Sequence, residues 1–197
     1  MKLIVIEGID GSGKSTLARN MFSTLSKGHK VTLTQEPFTD DIKQLLEKYK
    51  WNDQVLLALL FSADRQIHVR WMEAQDTEII ICDRYYFSTL AYQGVSVDWN
   101  WLETLSSIFP KPDLTILLDI PAYIALERLK KKKESLDFKE KRESLEKVRQ
   151  NYLALASKYN FKVLDASLPE EKLQSISLQY VYDLLSSSTS RASLSTL

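Results

Sequence analysis

The chain has 197 residues, 44% of them hydrophobic, which is enough for one domain with a sizeable core. Its 26 basic and 26 acidic residues cancel, which excludes a global field that would gather nucleic acid or an anionic membrane and leaves anion binding to local geometry. A single cysteine, Cys82, excludes an internal disulfide, the apolar run after Lys2 is too short for a signal peptide, and no run nears the ~18 residues of a membrane span; a cytoplasmic protein without nucleic-acid or membrane partners is expected.

Leu3 to Ile6 reads as a short buried strand, and the residues after it, Gly8-Ile9-Asp10-Gly11-Ser12-Gly13-Lys14-Ser15-Thr16, fit G-x-x-x-x-G-K-[ST] at Gly8, Gly13, Lys14 and Ser15. Such a loop needs glycines because backbone N–H groups must close around phosphate oxygens, and the helix that follows adds its dipole. Lys14 is expected to reach the outer phosphates of a nucleotide and Ser15 to ligate Mg²⁺. A dinucleotide-binding loop is excluded by spacing, since Gly8, Gly11 and Gly13 run G-x-x-G-x-G rather than G-x-G-x-x-G.

Helical periodicity through Leu17, Met21 and Leu25 continues to Lys27, with Gly28 as its expected C-cap. Lys30 to Thr34 reads as a second strand ended by Glu36-Pro37, and Asp40 as the cap of a helix carrying Ile42, Leu45 and Leu46. Residues 52–73 form the longest helical pattern. Glu78 to Cys82 and Leu114 to Leu118 are apolar runs ending in Asp83 and Asp119, as in strands of a parallel sheet buried on both faces. Pro121 suits the first turn of the next helix, and residues 130–143 are dense in charge. A helix with Leu145, Val148, Tyr152 and Leu155, a fifth strand Phe161 to Leu164 and a helix from about 169 to 185 complete the pattern. The last twelve residues, 186–197, hold six serines and two threonines and are expected to be a disordered tail. The alternation predicts one α/β domain, a five-stranded parallel sheet with helices on both faces.

Ligands of open α/β sheets lie beyond the carboxyl ends of the strands, which selects the glycine-rich loop, Glu36-Pro37, Asp83-Arg84-Tyr85, Asp119 and Asp165. Asp83 can serve a metal ion and Arg84 can grip a phosphate bidentately; an ordinary strand-end ion pair is the plainer reading. His29 and His68 lack paired ligands, Cys82 reads as a small buried hydrophobe, and Phe61 on periodicity alone belongs to the core.

In order and spacing, the Gly8 loop with Asp10, Phe61-Ser62-Ala63-Asp64-Arg65, Asp83-Arg84-Tyr85, Ala91-Tyr92-Gln93-Gly94, Pro112-Asp113-Leu114 and Val163-Leu164-Asp165-Ala166-Ser167 resemble the thymidylate kinases, P-loop nucleoside monophosphate kinases, over residues 2 to about 185. The resemblance implies the single-domain P-loop kinase fold, a lid at about 129–142, and Mg²⁺-dependent transfer of the ATP γ-phosphoryl group to dTMP, giving dTDP and ADP for dTTP synthesis. By position it implies that Phe61 stacks on thymine, Arg65 bonds its carbonyl edge, Arg84 holds the dTMP phosphate and Asp10 meets the 3′-hydroxyl. Tyr92 would sit against C2′, Gln93 near the base, Asp83 at Mg²⁺, and Asp165, Ala166 and Ser167 beside adenine. Lys14, Arg84 and a lid cation would neutralise the transferring group, with Arg128 favoured over Lys133, Lys139 and Arg142. A homodimer is implied as well.

Two departures from the family pattern stand out. Gly11 occupies the position where one branch carries a loop arginine, and Leu136-Asp137-Phe138-Lys139-Glu140 replaces a lid Leu-Asp-Arg-Phe-Glu. Gln35-Glu36-Pro37-Phe38 lacks the arginine and glycines common after strand two, so either turnover is low or another arginine, with Arg70 as the candidate, substitutes. Other classes predict different residues: a deoxyribonucleoside kinase would have serine where Tyr85 stands, and a guanine-nucleotide switch would show Asn-Lys-x-Asp. A non-catalytic P-loop nucleotide-binding protein is the remaining alternative.

Overall fold

The computed structural model describes residues 1–49, 53–130 and 138–194. In chain order its elements are β1 (Lys2–Glu7), α1 (Lys14–Leu25), β2 (Val31–Gln35), α2 (Asp40–Lys48), α3 (Gln54–Glu73), β3 (Ile79–Asp83), α4 (Tyr86–Gln93), α5 (Trp99–Ser106), β4 (Leu114–Asp119), α6 (Ala122–Lys130), α7 (Phe138–Tyr159), β5 (Lys162–Asp165) and α8 (Glu170–Leu194). The five strands form one parallel sheet in the order β2-β3-β1-β4-β5. Every residue of β3 and Leu3 to Glu7 of β1 are buried; since neighbouring residues point to opposite faces, both faces of the sheet are covered. The expected α/β architecture is the one observed.

Register explains where the site forms. Ile6 lies opposite Asp83, and Glu7 opposite Leu117, so β1 and β3 end within a residue of each other and β4 runs on to Asp119. The chain leaves β1 for β2, returns to β3 and crosses to β4 on the far side of β1, which opens a crevice at the carboxyl end of the central strand. α1 and α8 pack together, and α4 packs between α3 and α7.

Several boundaries differ from expectation for local reasons. α2 starts after Thr39, not Asp40, because the Thr39 N–H and hydroxyl both donate to Asp64, at 2.8 and 2.7 Å. α1 stops at Leu25 with Ser26 as C-cap, and Gly28 lies in the turn beyond. α4 and α5, which had no predicted counterpart, are eight-residue helices, too short to show a clear period. α8 continues to Leu194, past the Leu185 boundary where a tail was expected to begin. Residues 131–137, the middle of the expected lid, lie outside the described residues. Among the described residues no helix is long and apolar enough to cross a membrane.

Candidate active site

The loop between β1 and α1 and the first turn of α1, residues Asp10 to Leu17, line a cavity of about 650 Å³. Gly11 has φ +82°, and a Cβ there would lie 2.5 Å from the Ala125 carbonyl oxygen on α6, so the loop lies on that helix with no room for a side chain. Gly8 and Ile9 form the base of the loop and do not line the cavity. The Ile9 carbonyl accepts the Lys14 ammonium at 2.9 Å, which holds Lys14 over the loop. Lys14 is 6% exposed; burial, reinforced by the nearby Arg84 charge, lowers its pKa to about 8.

Ser15, at the start of α1, donates its hydroxyl to Asp83 Oδ2 at the end of β3. The other carboxylate oxygen, Asp83 Oδ1, is buried and has no hydrogen-bond partner among the described residues. A hydroxyl beside an orphaned carboxylate oxygen is a hard-oxygen pair that fits Mg²⁺, an ion that usually takes one or two protein oxygens and keeps several waters.

Arg84 follows Asp83 with φ +72°, the left-handed region that non-glycine residues rarely adopt. Bonds on both sides fix this turn: the Arg84 N–H donates to the Ile6 carbonyl at 3.0 Å and the Cys82 thiol donates to the Arg84 carbonyl at 2.9 Å. The guanidinium pairs with Asp10, donates to Ser88 Oγ at 3.0 Å and lies 5.3 Å from the Tyr92 ring centroid. Burial works against ionisation of the Asp10 carboxyl, but Arg84 and then Lys14 outweigh it and hold its pKa below the usual value. Ser88 in turn donates to Glu7 Oε2 at 2.7 Å, and Glu7 also accepts the Tyr85 N–H at 2.8 Å and the Tyr152 hydroxyl at 2.9 Å. Glu7 is fully buried, and that burial raises its pKa against the pull of these donors.

A second cavity, of about 360 Å³, is walled by Asp10, Phe61, Arg65, Arg84, Tyr92 and Gln93, together with Glu36, Pro37, Ser88 and Thr89. Phe61 also packs against the small core of Ile42, Leu46 and Leu57, so its core reading and its cavity reading both hold. The Tyr92 hydroxyl accepts the Asp10 N–H at 3.0 Å, and burial pushes its pKa up to about 12. Two buried polar atoms in this wall have no hydrogen-bond partner among the described residues, the donor Arg65 Nη1 and the acceptor Gln93 Oε1. The two cavities share Asp10, Glu36 and Arg84. A larger cleft that carries Lys14 and the glycine-rich loop thus meets a smaller one at Arg84, which is the layout of a two-substrate phosphoryl-transfer site.

Comparison with known proteins agrees with this geometry. A family model described as thymidylate kinase matches residues 6–176. A probable thymidylate kinase of Metallosphaera sedula is 70% identical over 196 residues, covering all of both chains. Another, from Sulfurisphaera tokodaii, is 49% identical over 186 residues, covering 93% of this chain and 97% of that protein. The chain belongs to the thymidylate kinase family.

Set against that family, the six residues expected at dTMP (Asp10, Phe61, Arg65, Arg84, Tyr92 and Gln93) are brought to one cavity. Of the three expected beside adenine, Ala166 alone lines the larger cavity; Asp165 accepts the N–H and hydroxyl of Ser167, at 2.9 and 2.6 Å, and so shapes the turn. Arg128, favoured by position as the lid cation of this chain, donates to the Ala166 carbonyl at 3.0 Å and lines the larger cavity. Lys133 and the side chains of Lys139 and Arg142 lie outside the described residues. Arg70 is exposed and lines neither cavity, so it does not replace the missing arginine; the cation that sequence reading overlooked is Arg19 of α1, in the wall of the larger cavity. Asp119 is taken up by Arg149 of α7, at 2.7 and 3.0 Å, and lines neither cavity. Glu7, Ser88 and Tyr152 were not anticipated either, since their bonds join residues as far as 145 positions apart and leave no local pattern.

Proposed function

We propose that this protein transfers the γ-phosphoryl group of ATP to dTMP, giving dTDP and ADP, with Mg²⁺ as the metal. The observation that carries this reading is the meeting of the two cavities at Asp10, Glu36 and Arg84. ATP lies along the loop in the larger cavity and dTMP in the smaller, with its phosphate at Arg84. An oxygen of the dTMP phosphate attacks the γ-phosphorus in line, the bond from that phosphorus to the β–γ bridging oxygen breaks, and ADP leaves with the electron pair. Lys14 and Arg84 balance the charge of the transferring group. When bound at Ser15 and Asp83, Mg²⁺ supplies further charge neutralisation on the phosphates.

The free polar atoms of the smaller cavity support a 4-oxopyrimidine acceptor. Arg65 Nη1 can only donate, which suits O4 of thymine, and Gln93 Oε1 can only accept, which suits N3–H. Cytosine presents the reverse pattern, an amino donor at C4 and a bare N3. Phe61 supplies the stacking face, and Tyr92 the wall at the sugar.

The test is ADP release with ATP and Mg²⁺ against dTMP, dUMP, dCMP and dAMP. Turnover is expected to be strongest with dTMP and lost in Asp83→Ala. Phe61→Ala is expected to raise KM for dTMP about tenfold, the effect of losing one base-stacking contact. ATP binding without turnover on any monophosphate would sink the reading.

Two further readings belong with it. Val55, Leu59 and Ile67 are about half exposed along one stripe of α3, which supports a homodimer built on that helix; a monomeric mass by analytical ultracentrifugation would refute it. The lone, buried Cys82 suits the reducing cytoplasm, and export of the tagged chain from its host's cytoplasm would refute that placement.

A further inference from the structure

Arg65 is fixed in the wall of the smaller cavity from several directions. Its Nε and Nη2 donate to Glu36 Oε2 at 2.9 and 2.6 Å, and Nη2 also reaches Thr89 Oγ1 at 3.2 Å. The guanidinium lies 5.6 and 5.4 Å from the ring centroids of Tyr85 and Phe109. A planar fork held at Nε and Nη2 leaves Nη1 as the remaining donor, and its direction follows the position of the Glu36 carboxylate.

What holds Glu36 is His68. The other carboxylate oxygen, Glu36 Oε1, is 3.2 Å from His68 Nδ1, and His68 Nε2 is 2.8 Å from the Thr34 hydroxyl on β2. The His68 ring stacks on Phe38 at 4.4 Å and 13°, and Phe38 lies 5.1 Å from Trp71, so the ring has no freedom to turn. With Nδ1–H donating to Glu36 and the Thr34 hydroxyl donating to Nε2, every polar atom from Thr34 to the Glu36 carboxylate is matched. His68 is 0% exposed and lines neither cavity. The relay ends on Arg65, which lines the smaller cavity and whose Nη1 has no hydrogen-bond partner among the described residues.

We propose that His68 is a positioning residue for acceptor selection, acting through Glu36 to aim Arg65 Nη1 as a donor at the C4 position of the pyrimidine. The proposal rests on the reading of the smaller cavity as the acceptor-base site. Without the imidazole N–H, Glu36 Oε1 is left buried and unpartnered, which drives the carboxylate to turn toward another donor. Glu36 itself lines the cavity, so the exocyclic amine of a 4-aminopyrimidine offers that donor, and discrimination against dCMP weakens.

The experiment compares kcat/KM for dTMP and for dCMP in the wild type, His68→Phe, His68→Asn and Thr34→Val, with each variant's melting temperature. His68→Phe keeps an aromatic ring but removes the N–H; it is expected to lower the dTMP/dCMP ratio at least about tenfold, mostly through KM. His68→Asn places an amide N–H near the Nδ1 position and is expected to recover most of the ratio even if it melts lower. Thr34→Val is nearly isosteric and is expected to lower the ratio by about threefold, so it carries the test where His68→Phe does not fold. A purely structural histidine would lower the melting temperature and both turnovers together and leave the ratio unchanged; that result in folded His68→Phe or Thr34→Val overturns the proposal. A wild type inactive on dTMP would instead overturn the acceptor-site reading itself.

Discussion

Lys14 shows how burial at a single residue sets a pH response. Burial and the neighbouring Arg84 lower its pKa to about 8 in the folded chain, against 10.5 for an ordinary lysine. Between those values the unfolded chain binds more protons than the native one, so the contribution of this group to stability rises with pH across that window. Affinity for phosphates moves the other way, because the ammonium is lost as pH rises through about 8. We expect kcat/KM for ATP to fall above that pH, and kcat to fall only at higher pH, since bound phosphates favour the charged lysine. Coincident limbs in the two profiles, or a flat kcat/KM for ATP to about pH 10, would contradict this account. Legibility at this scale was uneven. Lys14, Ser15 and the glycines were readable because a phosphate loop imposes its chemistry within a few consecutive residues. Glu36 was visible as a strand end, but its buried pairing with Arg65 of α3 depends on packing between distant segments.

At the scale of elements, α7 is the part that sequence reading underused. Its Tyr152 hydroxyl donates to Glu7 Oε2 at the end of β1 and meets Ser88 at 2.8 Å, and its Arg149 clamps Asp119 at the end of β4. The helix that returns from the expected lid is thus tied to the carboxyl ends of β1 and β4. Tyr152 read as one of four apolar positions on a helical stripe, which is correct for its ring and silent about its hydroxyl. Tyr152→Phe is expected to cost about 1 kcal/mol in urea unfolding with an unchanged m-value, the usual contribution of one buried hydrogen bond. An unchanged midpoint would show that the hydroxyl adds nothing to the tie between α7 and β1. The strands were legible to within a residue because their apolar runs end in acids or prolines; α4 and α5 were not, being short and folded by contact with their neighbours.

The molecule as a whole places its chemistry by topology. A parallel sheet in the order β2-β3-β1-β4-β5 sets the phosphate loop beside Asp83 and Arg84 and leaves room on their two sides for two ligands. That architecture was legible because alternating strands and helices permit few other arrangements. Which residues face each other across the crevice was legible only where the family pattern supplied it. In the proposed reaction the two cavities work as donor and acceptor sites of one transfer. Its most direct test is to incubate the protein with γ-³²P-labelled ATP, Mg²⁺ and dTMP and to separate the products. Label is expected in dTDP, with little inorganic phosphate and no label transfer when dTMP is omitted. Label released as inorganic phosphate at the same rate with or without dTMP would show that water is the acceptor and would contradict the account.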